Sequence, residues 1–205
     1  MTQVKICGVT SAIIADACIE SGADYVGFVF VERSPRFISI EDAVPLIEKV
    51  KHAGIKAVGL WQGDGSLPLS DVTQSGIDIL QAHGTSVTNI GLPTWYAFGV
   101  DKRTDLPSDK MPYERLLLDA KPPRGSLNEG GHGISFDWSI LRGWEAQNVW
   151  MLAGGLNPEN VADAIKLSGA CAVDVSSGVE RAKGQKDPKL IRAFIQNVKQ
   201  ASEKI

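Results

Sequence analysis

Eight short runs of strand-forming residues recur along the chain at intervals of roughly 25 residues, and turn or helical sequence follows each one. That alternation constrains the fold more than any other feature. Strands separated by helices run parallel, and each connection must cross a covered sheet. The runs are Lys5–Cys7, Tyr25–Phe30, Lys56–Trp61, Ile77–Ala82, Trp95–Val100, Leu116–Asp119, Val149–Leu152 and Ala172–Val175. Tyr25–Phe30 is apolar almost throughout, as a strand covered on both faces requires. Eight units predict one small (β/α)8 TIM barrel over residues 1–205, with no linker or second domain. A doubly wound open sheet also alternates, but with about five or six strands.

The helix signals agree with this reading in most places. Thr10 or Ser11 can cap a first helix running to Glu20, and Gly22 ends it. Ser39-Ile40-Glu41-Asp42 resembles a capping box, with Val44, Ile47 and Val50 on one stripe of the helix it opens. Asn157-Pro158-Glu159 and Asp187-Pro188 each combine a capping residue with a proline at the first helical position. The second of these opens a final helix to about Ser202. A short helix is expected from about Asp137 to Leu141. Between residues 87 and 112 the pattern degenerates. Val87–Pro93 and Asp101–Pro112 are short, polar and broken by proline, so loops or single turns are expected there.

Composition narrows the function classes. A net charge of −3 gives no electrostatic footprint for nucleic acid or an anionic membrane. No apolar run approaches the roughly 18–20 residues of a membrane span, and Met1–Lys5 lacks the apolar core of a signal peptide. Cys7, Cys18 and Cys171 are odd in number and far apart, with no metal-ligand spacing. The expectation is a cytoplasmic protein with reduced thiols and no metal.

In a barrel of this kind the site lies at the C-terminal ends of the strands. Those ends carry Cys7, Phe30, Trp61, His83, Val100, Asp119, Gly154 and Asp174. Of these, Cys7, Asp119 and His83 have proton chemistry within reach of neutral pH. The glycines of interest follow the seventh and eighth strands. Gly154-Gly155 leads into a helix start, and Ser176-Ser177-Gly178 occupies the place where barrels often add a short helix. Backbone N–H groups at such turns make an anion site, and serine hydroxyls add donors. Each motif alone means only a tight turn; the consecutive pair points to a phosphate. Cys7 alone reads as a core thiol, Arg36 as a surface charge and Asp119 as a loop or capping carboxylate. Gln81 and His83 are expected on the pocket wall. Asp174 either touches substrate or braces the next turn, and Trp61 is a candidate to stack on an aromatic group.

Several blocks, in order along nearly the whole chain, resemble the phosphoribosylanthranilate isomerases of tryptophan biosynthesis. They are Lys5-Ile6-Cys7-Gly8, Gly27-Phe28-Val29-Phe30, Ser34-Pro35-Arg36-Phe37-Ile38-Ser39, Leu117-Leu118-Asp119, Gly130-Gly131-His132-Gly133, Phe136-Asp137-Trp138, Gly154–Val161 and Asp174–Glu180. The resemblance implies an Amadori rearrangement of N-(5′-phosphoribosyl)anthranilate to an open-chain 1-deoxyribulose phosphate. It also implies roles. Asp119 would be the general acid on the ring oxygen and Cys7 the general base at C2′. Arg36 would grip the anthranilate carboxylate, with Gln81, His83 and Asp174 also touching substrate. Gly154, Gly155, Ser176, Ser177 and Gly178 would hold the phosphate, and Gly131 and Gly133 would belong to an active-site loop.

The implied ligand is a small phosphosugar, with no cofactor, nucleic acid or membrane; monomer and homodimer both stay open. Two rivals remain. The related Amadori isomerase of histidine biosynthesis resembles an Asp/Asp pair, so Cys7 argues against it. A non-catalytic phosphate-binding barrel would not need Cys7, Arg36 and Asp119 together. The chain departs from the family pattern at Leu60–Asp64, Ala82, His132 and Ile134. Lys5, two residues before Cys7, lies on the same strand face one layer deeper, and its charge is expected to favour the thiolate.

Overall fold

The computed structural model describes residues 1–63, 66–87, 89–121 and 135–203. Eight parallel strands close into a barrel in sequence order: β1 (Gln3–Cys7), β2 (Tyr25–Val29), β3 (Lys56–Trp61), β4 (Ile79–His83), β5 (Thr94–Val100), β6 (Arg115–Ala120), β7 (Val149–Leu152) and β8 (Ala172–Val175). The last strand returns to the first, with Gln3, Val4, Lys5 and Ile6 in register with Ala172, Val173, Asp174 and Val175. This is the (β/α)8 barrel that the strand spacing predicts. Among the described residues no helix is long and apolar enough to cross a membrane.

Among the described residues five α-helices cover the outside: α1 (Ala12–Ser21), α2 (Ile40–His52), α3 (Leu69–Gln74), α4 (Val161–Ser168) and α5 (Pro188–Ser202). Their boundaries follow the local chemistry. Gly22 ends α1 in the left-handed region at φ 79°, a conformation that only glycine adopts without strain. Ser39 accepts from the Asp42 amide at the start of α2, and Asp187 from the Lys189 amide at the start of α5. The buried stripe of α2 is Ala43, Leu46, Ile47 and Val50 rather than one through Val44, which is half-buried. Asn157 accepts from the Glu159 and Asn160 amides as expected, but its first turn is tight and α4 proper begins at Val161. Ser11 stands at the α1 N-cap without a side-chain hydrogen bond.

The flank between β4 and β7 lacks α-helices among the described residues: the loops or single turns expected between residues 87 and 112 are found, whereas the short helix expected from about Asp137 to Leu141 is a 3₁₀ turn. It carries two 3₁₀ turns, Arg103–Asp105 and Trp138–Leu141. Side chains replace the missing helix backbone there. Arg103 donates to the carbonyls of Ile140, Arg142 and Gly143. Asn148 accepts from the Met111 amide and donates to the carbonyls of Met111 and Tyr113. Tyr96 stacks on Tyr113 with centroids 4.8 Å apart.

The core has two layers. Between barrel and helices, Phe28, Phe30, Ile47, Leu116, Leu118, Ile191 and Phe194 are wholly enclosed. Inside the barrel, Tyr25, Val58, Ile79, Trp95, Leu117, Met151 and Ala172 fill the lower layers. At the bottom the Arg115 guanidinium lies over the Trp95 ring at 4.8 Å and the Tyr25 ring at 5.3 Å. The barrel is therefore a packed plug with one open end. Helix α5 holds it closed by packing against α1 and α4. Phe194→Ala, which empties the fully buried contact of α5, is expected to lower stability by about 3–5 kcal/mol in urea unfolding.

Candidate active site

Side chains alternate between the two faces of a strand, so parity decides which strand-end residues face the barrel axis. Cys7, Val29, Leu60, Gln81, His83, Asp119 and Asp174 share the inward parity and line one pocket. The loop after β2 adds Ser34, Pro35 and Arg36, and the turn after β8 adds Ser176. The other strand ends point outward. Phe30 and Val100 belong to the layer beneath the helices. Trp61 is also turned away, because Leu60 takes the inward place. Its indole donates to the Leu67 carbonyl at 3.0 Å, and it lines a separate groove with Ser66 and Pro68. Trp61 is therefore not placed to stack on a ligand in the Cys7 pocket.

Lys5 lies beneath Cys7 and is wholly buried. Its Nζ donates to Asp174 Oδ1 at 2.9 Å. A Cβ on Gly27 would come 3.0 Å from Cys7 Sγ and 3.2 Å from Lys5 Nζ, so glycine at 27 makes room for both. Burial opposes the charge on Lys5, but Asp174 and Cys7 outweigh it and hold the ammonium above its ordinary value. Burial pushes the Cys7 thiol up, while Lys5 pulls it part of the way back. Across the pocket, burial and the Asp174 charge raise the Asp119 carboxyl to about 7. That is well above an ordinary aspartate and leaves a usable fraction protonated at neutral pH. Burial and Lys5 push His83 down to about 3, so its ring is neutral. Its Nε2 meets the Gln81 amide nitrogen at 2.7 Å, while Gln81 Oε1 is buried without a protein partner among the described residues. A neutral ring so held is a poor candidate for the base, and the unpaired amide oxygen is open to a ligand hydroxyl.

The two glycine turns lie against each other. Gly154 and Gly155 both have positive φ, 85° and 63°. A Cβ on Gly154 would sit 2.6 Å from the Ala120 nitrogen and 3.0 Å from Asp119 Oδ1, so this turn packs beside the β6 end. A Cβ on Gly178 would overlap the Leu156 carbonyl oxygen. Asn160 donates to the Gly155 carbonyl at 2.9 Å and fixes the first turn. Ser177–Val179 is a 3₁₀ turn, and Ser176 Oγ donates to the Cys7 carbonyl at 3.1 Å. The structure thus brings Gly154, Gly155, Ser176, Ser177 and Gly178 together beside the strand end that carries Cys7. Gly131 and Gly133, with His132 and Ile134, lie outside the described residues. Among the described residues no cluster of His, Cys, Asp or Glu could hold a metal ion.

One part of the site escaped the sequence reading. A small hairpin, β9 (Glu180–Ala182) and β10 (Gln185–Lys186), follows β8. Glu180 grips Arg36 at both carboxylate oxygens, Nε at 2.7 Å and Nη2 at 2.9 Å. Lys186 reaches Glu180 Oε1 at 2.5 Å and the Ser176 carbonyl at 3.2 Å. Burial raises the Glu180 carboxyl, but its hydrogen bonds from Arg36 and the charge of Lys186 outweigh that and hold it below the usual range. The sequence signal was Gly184, a turn glycine between two residue pairs too short to register as strands.

Comparison with known proteins gives a consistent picture. Residues 4–197 match the sequence model of the family described as N-(5′phosphoribosyl)anthranilate (PRA) isomerase. The chain is 42% identical to the N-(5′-phosphoribosyl)anthranilate isomerase of Granulibacter bethesdensis, over 98% of this chain and 100% of that one. The phosphoribosyl anthranilate isomerase of Thermotoga maritima superposes with a TM-score of 0.81 at 35% identity, covering 98% of this chain and 100% of that one. A phosphoribosyl anthranilate isomerase solved with reduced 1-(o-carboxyphenylamino)-1-deoxyribulose 5-phosphate superposes at 0.78 and 34% identity, with the same coverage.

Two outcomes follow from these electrostatics. Asp119 has a raised carboxyl, so below the ordinary aspartate value both folded and unfolded chains carry its proton, and it leaves stability unchanged. Between that value and about 7 only the folded chain keeps the proton, so its contribution to stability falls as pH rises through this window. Asp119→Asn removes that penalty. Its melting temperature relative to wild type is expected to be higher at pH 8 than at pH 4, the alkaline gain corresponding to about 4 kcal/mol. Lys5→Met removes the cation nearest Cys7. Thiolate absorbance in the ultraviolet should then appear at higher pH than in wild type.

Proposed function

Because the chain belongs to the N-(5′-phosphoribosyl)anthranilate isomerase family, and is an isomerase, we propose that it converts N-(5′-phosphoribosyl)anthranilate to 1-(2-carboxyphenylamino)-1-deoxyribulose 5-phosphate with Cys7 and Asp119 as the proton-transfer pair. The observation that carries the residue assignment is their shared pocket. The two groups stand three strands apart round the barrel, on β1 and β6, and both face the same space.

Asp119, protonated, gives its proton to the furanose ring oxygen. The bond between that oxygen and C1′ breaks, and the nitrogen lone pair forms an open-chain iminium. Cys7, as thiolate, takes the C2′ proton, and the electrons of that C–H bond form the C1′=C2′ double bond of an enolamine. Reprotonation at C1′ and loss of the hydroxyl proton give the ketone. The carboxyl near 7 supports the acid role. The base is harder to form, since burial favours the neutral thiol. Lys5 below it and the positive iminium above it both favour the thiolate once the ring has opened. Base activation is thereby coupled to ring opening.

Arg36 suits the anthranilate carboxylate, because a guanidinium offers several fixed donors. The turns at Gly154-Gly155 and Ser176-Ser177-Gly178 suit the phosphate: the glycines admit it closely and backbone N–H groups face it. Gln81 Oε1, buried without a partner, suits a sugar hydroxyl as donor. His83 completes that contact by fixing the amide, and Asp174 acts through Lys5.

Freshly prepared phosphoribosylanthranilate, followed by loss of its fluorescence, should be consumed by the wild-type chain. Cys7→Ala and Asp119→Asn should each lower kcat by about 10²–10⁴-fold, with the reduced product analogue still bound. Full activity in either variant would refute its assigned role. Binding without turnover by wild type would instead favour a non-catalytic phosphate-binding barrel.

A further inference from the structure

Lys186 is a cation that no step of this reaction uses. Its side chain is only 1% exposed, although it sits on a two-residue strand at the barrel mouth. A buried ammonium is unfavourable unless partners or function compensate it. It contacts Glu180 and also reaches the carbonyl and hydroxyl oxygens of Ser176. Glu180 in turn holds Arg36 through Nε and Nη2, and its side chain is 3% exposed.

The cluster therefore contains two cations and one carboxylate, and it carries one positive charge more than it needs for neutrality. The nearest other ion pair, Lys5 with Asp174, is balanced within itself. Arg36 faces the pocket. Its Nε and Nη2 are taken by Glu180, so Nη1 is the nitrogen without a partner among the described residues. The hairpin also clamps the loop that bears Arg36. The Gly184 amide donates to Glu180 Oε2 at 3.0 Å, and a Cβ on Gly184 would press on the Pro35 carbonyl.

We propose that Lys186, acting through Glu180, is a positioning residue for Arg36. Glu180 fixes the plane of the guanidinium, and Lys186 neutralises Glu180 so that the charge of Arg36 is left over for an anionic group of the ligand. Without Lys186 the Arg36–Glu180 pair would be neutral overall and would attract a carboxylate weakly. The inference rests on the proposed function in one respect: the anionic group is the aryl carboxylate of the substrate, as distinct from the phosphate, which the glycine turns receive.

Two ligands separate this role from a merely structural one. They are reduced 1-(o-carboxyphenylamino)-1-deoxyribulose 5-phosphate and its phenylamino counterpart, which lacks the carboxylate. Their dissociation constants are measured by calorimetry for wild type, Lys186→Met and Lys186→Arg. Wild type should prefer the carboxylate ligand. Lys186→Met should lose about tenfold of that preference, and Lys186→Arg should restore it. A loss of fold or of phosphate grip would weaken both ligands alike and leave their ratio unchanged, and that result would overturn the proposal. Equal affinity of wild type for the two ligands would overturn it as well. Failure of wild type to turn over phosphoribosylanthranilate would refute the proposed reaction and leave the ratio to be read on its own.

Discussion

The barrel closes where β1 meets β8, and across that seam Lys5 is bound to Asp174. Both residues face the axis, Asp174 on the pocket lining and Lys5 beneath it. In that position the ion pair does two things at once. It joins the first and last strands of the barrel through side chains as well as backbone, and it puts a fixed positive charge beneath Cys7. A wholly buried lysine needs its partner: loss of Asp174 would leave an unpaired ammonium inside the barrel, at an expected cost of about 3–5 kcal/mol. The charge beneath Cys7 and barrel closure thus depend on the same contact.

The charges at the barrel mouth are arranged around that pair. Asp119 is kept partly protonated by burial and by the negative charge of Asp174, while Lys5 works against it. Cys7 is kept as a thiol by burial, while Lys5 works against that too. One cation therefore moderates both groups and keeps neither at its extreme. A resting site with an acid carboxyl and a neutral thiol has its acid ready and its base latent. In the proposed reaction, the positive charge created by ring opening completes the base. A second buried cluster, Arg36, Glu180 and Lys186, stands on the other side of Cys7 and is joined to it through Ser176. Among the described residues, the few cationic side chains that are buried, Lys5, Arg36 and Lys186, stand at this end of the barrel, each against a carboxylate.

Much of this is legible in the sequence, for reasons that differ by element. The strands after which a helix must begin are marked by residues with a local physical role, such as Gly22, Ser39 and Asp187, and those positions hold. Cys7, Asp119 and the two glycine turns are legible only in combination, because each alone has an ordinary structural reading and the strand spacing places them all at one end of the barrel. Position at a strand end does not by itself turn Trp61 toward a ligand, because the two-residue period set by Val58 and Leu60 turns it out. The β9–β10 hairpin was missed because its strands are shorter than any periodic signal. Arg36 could be named as a ligand for an anion, but not as half of an ion pair with Glu180, 144 residues away. Contacts between distant loops leave no local trace in composition or spacing.

The central claim is a division of labour: Asp119 opens the ring and Cys7 removes the C2′ proton. Single-turnover rates with substrate carrying deuterium at C2′ test it most directly. Cys7→Ser weakens the proton-abstracting step, so its rate should fall when C2′ carries deuterium. Asp119→Asn weakens ring opening, which does not break that bond, so its rate should be the same for both isotopes. An isotope effect in Asp119→Asn together with none in Cys7→Ser would contradict the assignment.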